Sequence, residues 1–162
     1  MSDTIDSHDA ILSAAKHLFM QQGFRGISMR QIAEAVGVTK AALYYHFQDK
    51  EDLFVAIVAS YLEDLGKLIE DAAAEGSTSR EQINAIVHRI LLQPVEQRAI
   101  LRLTSQELSN VSEETRARFL ELYHGRFIGR ITAILQDGMD TQELRRLDPG
   151  QATWMLLGMM YP

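Results

Sequence analysis

The chain has no cysteine, and only three of its 162 residues are proline. Without cysteine there can be no disulfide and no thiolate metal site, which fits the reducing cytoplasm, the expected location. Prolines at 94, 149 and 162 alone leave long stretches free to be helical. No apolar run approaches the roughly 18 residues needed to cross a bilayer, so no membrane partner is expected. The start, MSDTIDSHDA, has neither the basic nor the apolar region of a signal peptide. No Ser/His/Asp set and no glycine-rich phosphate loop has usable spacing, so neither an enzymatic activity nor a cofactor is expected. Positive charge is scarce as well. The net charge is −6, whereas a generic polyanion binder would be basic.

That charge is unevenly spread. From Arg25 to Lys50 four cations (Arg25, Arg30, Lys40, Lys50) face two anions (Glu34, Asp49), while the rest of the chain carries 12 cations and 20 anions. A small cationic patch on an acidic body binds a polyanion one way round and repels it elsewhere, which favours site-specific recognition over general attraction.

Apolar residues recur at three- and four-residue spacing nearly throughout, so the expected fold is all-α. Ile11, Ala15, Leu18 and Phe19 mark a first helix ending at Gly23. Ser28 is placed to cap a second, with Gln31 as its capping-box partner. Met29, Ile32, Ala33 and Val36 make that helix's apolar face, and Gly37 suits a sharp left-handed turn. Thr39 can cap a short third helix anchored by Leu43 and Phe47. Asp49 caps a long helix over about 50–74, whose wide apolar stripe suits contacts on two sides. Further helices are expected from near Arg80 to Pro94, from 95 to 108, from Ser112 to about Asp137, and after Asp148-Pro149.

Between Ser28 and Lys50 the pattern has the layout of a helix-turn-helix, whose second helix enters the DNA major groove. Ala33 is the small residue such a packing needs, and Ala41-Ala42 leave room for the helix to approach the bases. Tyr44 and Tyr45 point about 100° apart on a helix, so at least one hydroxyl must face outward. Tyr44 can be partly core or a phosphate contact, and His46 a phosphate contact or a local structural hydrogen bond. Lys50 opposes the dipole of its own helix, which a nearby phosphate would explain.

The stretch AAKHLFMQQGFRGISMRQIAEAVGVTKAALYYHFQDKEDLF resembles the N-terminal domain of tetracycline-repressor (TetR) family regulators. Phe19, Gly23, Phe24, Ile32, Ala33, Gly37, Val38, Leu43, Tyr44-Tyr45-His46-Phe47, Lys50 and Leu53 carry the resemblance. It implies a three-helix DNA-binding domain over 1–50, then a helical effector-binding and dimerising domain over 51–162 that lacks its final helix. It implies that Ser28, Thr39, Tyr44, His46 and Lys50 hold phosphates, and that Arg30, Lys40 and Tyr45 read bases, Tyr45 against a thymine methyl. The expected function is that of a ligand-responsive repressor. It binds a palindromic DNA operator as a homodimer and releases it on binding a small apolar or amphipathic effector. The alternative is a ligand-independent DNA-binding regulator, switched by a protein partner or acting in nucleoid organisation.

The later segments carry weaker signals. Helical facing alone nominates Tyr61, Ile86, Ile90, Leu103, Phe119, Tyr123, Phe127 and Trp154 as pocket lining. Glu121 and His124 have the Glu-x-x-His spacing of two-metal bundles, but no second copy exists, so no metal site is expected. Gly125 and Gly129 suggest close helix packing. Trp154, Met155, Met159 and Met160 read as core or buried interface. The ending, Leu157 to Pro162, is apolar with no polar tail, so the natural protein is expected to continue past it.

Overall fold

The computed structural model describes residues 3–160; Met1 and Ser2, and the last two residues of the apolar ending, Tyr161 and Pro162, lie outside it. Among the described residues every regular element is helical. The order is α1 (Asp3–Gly26), α2 (Met29–Val36), α3 (Lys40–His46), α4 (Lys50–Ala73), α5 (Ser79–Leu91), α6 (Val95–Glu107), α7 (Glu113–Tyr123), a π-helical stretch (His124–Ile128), α8 (Gly129–Asp140) and α9 (Pro149–Met160). Among the described residues no helix is long and apolar enough to cross a membrane.

Helix ends follow their local chemistry. The Ser28 hydroxyl accepts the Gln31 N–H while the Gln31 side chain accepts the Ser28 N–H, a complete capping box. Thr78 and Glu81 form the same device at α5. Thr39 accepts the Ala42 N–H, Asp49 the Asp52 N–H and Asp148 the Gln151 N–H, so α3, α4 and α9 begin where side-chain acceptors stand. Gly37 closes α2 at φ 77°, with its N–H turned back to the Ala33 and Glu34 carbonyls.

The chain divides into two compact units. The first comprises Met1–Tyr61 and Val95–Leu120. Its centre is aromatic: Phe19, Phe24 and Phe54 meet with ring centroids 5.3 to 6.0 Å apart. Ile11, Ile32, Leu43 and Leu53 are fully buried around them. The second unit comprises Leu62–Pro94 and Glu121–Pro162. There α5 and α9 pack on α8, and Leu65, Ile69, Ile86, Ile90, Phe127 and Ile131 are buried. A hydroxyl pair is sealed in as well: Thr153, fully buried, sits 2.8 Å from Thr132 and 2.8 Å from the Pro149 carbonyl.

Two boundaries differ from those read in the sequence. The first helix continues past Gly23 to Gly26, with a kink at Gly23 (φ 73°, ψ 168°). The helix expected to run unbroken from Ser112 is interrupted by the π stretch, which shifts the phase of the apolar stripe. Neither Gly125 nor Gly129 makes the close helix–helix approach expected of them. A Cβ on Gly125 would meet nothing within 4 Å, and one on Gly129 would meet the His124 carbonyl of its own π turn at 3.0 Å. In α9 the inward residues are Thr153, Leu157 and Met160, at helical spacing. Trp154, Met155 and Met159 are not core: they are 50%, 68% and 76% exposed.

Candidate nucleic-acid interface

Helices α2 and α3 stand against each other because Ile32 and Ala33 on one and Leu43 on the other are buried, with Phe47 closing the base. The side chains left outside are polar or cationic. Five of the eight expected DNA-contact residues, Ser28, Arg30, Lys40, Tyr44 and Lys50, line one open groove of about 570 Å³, together with Arg25. Asp49 is its acidic member.

The remaining three sit beside it. Thr39 is exposed at the start of α3. Tyr45 is 81% exposed, and its ring meets the edge of His46 at 5.3 Å. Tyr44 is 44% exposed, with the Lys40 ammonium 5.5 Å from its ring centre. The two tyrosines therefore both present surface, Tyr45 far more. His46 is half-buried; its ring lies 5.9 Å from that of His8, which stacks on Phe47 at 5.1 Å. Arg30 is exposed and pairs along α2 with Glu34 at 3.4 Å.

Lys50 has partners that the sequence did not reveal. Its ammonium donates to the carbonyls of Phe24 at 2.8 Å and Ile27 at 3.0 Å, and lies 4.4 Å from the centre of the Phe24 ring. Those carbonyls at the end of α1 attract a cation, as helix C-termini do. This offsets the unfavourable position of Lys50 on α4.

Two further residues were missed. Glu107 accepts the Phe24 N–H at 3.1 Å. Glu51 accepts the Ser112 N–H at 3.1 Å and the hydroxyls of Ser112 and Thr115. Both partnerships join residues more than sixty positions apart, and no local motif announces them.

The expected pocket residues divide between the units. Tyr61 and Phe119 are buried and Leu103 is half-buried in the first; Ile86, Ile90 and Phe127 are buried in the second. Also in the second, Tyr123 contacts Phe127 and Trp154, with ring centroids 5.5 and 6.3 Å apart, and Trp154 is half-exposed. Glu121 and His124 are exposed, and no group of three metal-ligating side chains forms among the described residues.

Comparison with known proteins identifies the family. Residues 11–57 match the family described as bacterial regulatory proteins, tetR family, and residues 76–161 match the tetracyclin repressor-like C-terminal domain. The probable HTH-type transcriptional regulator YttP of Bacillus subtilis is 33% identical over 107 residues, 65% of this chain and 52% of that protein. The fatty acid metabolism regulator protein of the same organism is 25% identical over 151 residues, 91% of this chain and 76% of that protein. The crystal structure of a TetR family transcriptional regulator, PfmR from Thermus thermophilus, superposes with a TM-score of 0.77 at 28% identity, covering 93% of this chain and 81% of that one. The chain spans about half the length, or less, of several curated relatives that it matches.

Proposed function

Because this chain belongs to the tetR family of bacterial regulatory proteins, we propose that it is a transcriptional repressor that holds a palindromic operator as a homodimer and releases it on binding a small amphipathic molecule. The observation that carries the DNA half is the groove shared by Ser28, Arg30, Lys40, Tyr44 and Lys50, with Tyr45 projecting beside it. In this reading Ser28, Thr39, Tyr44, His46 and Lys50 hold phosphates, which fix register, while Arg30, Lys40 and Tyr45 face base edges. Residues 1–50 form the DNA-binding domain and 51–162 the effector and pairing domain.

Pairing falls to α9, where Trp154, Met155 and Met159 form an exposed apolar patch. Two copies are needed because one groove carries few cations. Each phosphate neutralised adds about one unit of salt dependence, so a single weakly cationic surface binds poorly on its own. A dimer also sets recognition helices about 34 Å apart for successive major grooves. An effector that favours a different separation opposes DNA through a coupling of roughly 1–3 kcal/mol. The name of the Bacillus fatty acid metabolism regulator supports fatty acids and their derivatives as the first effector class to try.

The test begins with selection from a random duplex library. The wild-type chain should recover a palindrome and bind it by fluorescence anisotropy far more tightly than a scrambled duplex; equal binding to both overturns the DNA reading. A chain-length series of fatty acids and their coenzyme A thioesters should then contain a member that releases the duplex. Retention across the whole series overturns the effector class.

A further inference from the structure

Gly23 is the residue at which α1 leaves regular helix, and charged side chains take both backbone polar groups of the next residue, Phe24. The Gly23 conformation, φ 73° and ψ 168°, turns the Phe24 N–H out of the helical ladder. Glu107, at the end of α6, accepts that N–H through Oε1 at 3.1 Å. Lys50, at the start of α4, donates to the Phe24 carbonyl at 2.8 Å. An anion thus holds the amide of one residue and a cation its carbonyl.

The Glu107 carboxylate is itself aimed. Its Oε2 accepts from the Asn110 side chain at 2.6 Å, and the Asn110 N–H returns to the Glu107 carbonyl at 2.8 Å. The fit at the kink is close: a Cβ on Gly23 would stand 3.0 Å from Oε1. Phe24 is buried, so its N–H has no ready access to water if the carboxylate withdraws. A buried donor without a partner is costly, and the backbone around it would shift to find one. The segment that would shift, 24–28, leads into the Ser28 cap and to Arg30, on one wall of the groove.

We infer that Glu107 is a positioning residue for DNA binding. From α6 it fixes the turn that presents Ser28 and Arg30 beside α3. The inference rests on the DNA reading above and adds to it the contact through which α6 acts on the groove. Glu107 contacts the backbone from behind the DNA-facing side chains, so it influences affinity without adding or removing a phosphate contact.

The test uses the 162-residue chain, the duplex selected by wild type, and amide hydrogen exchange at Phe24 followed by NMR. Glu107→Ala should speed exchange at Phe24 while Leu43 and Leu53 keep their protection. It should weaken duplex binding roughly tenfold, the usual effect of losing one hydrogen bond to a charged group. The slope of log K against log salt should stay unchanged, because no counterion is involved. Glu107→Gln keeps an acceptor oxygen and should restore affinity to within about threefold of wild type. Wild-type affinity in a folded Glu107→Ala protein overturns the inference, as does a changed salt slope or a Glu107→Gln variant as weak as the alanine. Should Glu107→Ala fail to fold, Asn110→Ala leaves the carboxylate but removes its orienting donor. A loss of about threefold is then expected, and wild-type affinity overturns the inference. If wild type does not distinguish the selected duplex from a scrambled one, the DNA reading itself falls. Unchanged Phe24 exchange in Glu107→Ala would then still refute the hold on the amide.

Discussion

Glu51, in the first turn of α4, closes on Ser112, 61 residues away: its carboxylate accepts the Ser112 N–H at 3.1 Å and the Ser112 hydroxyl, and it takes the Thr115 hydroxyl as well. Ser112 meanwhile caps α7 by accepting the Thr115 N–H at 3.2 Å. One acidic side chain thereby organises the start of a helix distant in sequence, where negative charge also suits the helix dipole.

Partial burial pushes the Glu51 carboxyl up, but the hydrogen bonds from Ser112 and Thr115 and the charge of Lys50 outweigh it, so it titrates below the ordinary glutamate range. A carboxyl depressed in the folded state stabilises above its unfolded value, about 4.3, and loses that contribution as pH falls through the folded value. Glu51→Gln should therefore lower stability at neutral pH, by about 1 kcal/mol for a partly exposed site. Urea melts between neutrality and acid should show the two proteins converging below pH ~4. A gap that widens toward acid would contradict the hydrogen-bonded carboxylate.

Tyr45 is the most exposed aromatic side chain of the candidate interface. Replacing it with alanine removes little packing, so the melting temperature should hold within about a degree or two. Affinity for the selected duplex should fall about tenfold, or ~1.4 kcal/mol. Anisotropy with wild-type affinity would remove Tyr45 from the base-reading set.

Lys50 should show two effects where an ordinary phosphate contact shows one. Lys50→Ala should lower the salt slope of duplex binding by about one unit. It should also destabilise the free protein by about 1–2 kcal/mol, because the Phe24 and Ile27 carbonyls lose a charged donor. Denaturant melts without DNA isolate the second effect; an unchanged midpoint would show that the carbonyl contacts are dispensable.

The two left-handed glycines should respond differently to alanine. At Gly37 (φ 77°) a Cβ meets nothing within 4 Å, so only backbone strain of about 1 kcal/mol is expected. At Gly23 (φ 73°, ψ 168°) the backbone lies in a region essentially reserved for glycine, so the strain is greater, and a Cβ would also stand 3.0 Å from Glu107; Gly23→Ala should cost more and should also weaken duplex binding. Equal unfolding midpoints for the two variants would argue against a strained, closely packed kink.

Most of the helical framework was legible because its signals are local. Ser28 with Gln31, Thr78 with Glu81, and Asp148 ahead of Pro149 lie within one turn of the groups they cap. Gly37 does its work alone. The interface was legible in kind for the same reason: residues spaced along two short helices must share a surface once Ile32, Ala33, Leu43 and Phe47 are buried. The π stretch at His124–Ile128 was hidden because inserting a residue into the helical phase leaves the apolar spacing ambiguous. The outward face of α9 was left open because Trp154, Met155 and Met159 are apolar and read equally as core or as buried interface by composition.

The sequence by itself determined that this chain is helical, where most helices begin, and that residues from Ser28 to Lys50 form a helix-turn-helix, because caps, turns and apolar periodicity act over a few residues. Only the tertiary structure decided which charged side chains meet which distant backbone groups: Glu107 with Phe24 across 83 residues, Lys50 with Phe24 across 26, and Glu51 with Ser112 across 61. Periodicity tells a helix which face to bury but not which neighbour to bury it against, and those partnerships exist only once the helices have chosen their neighbours.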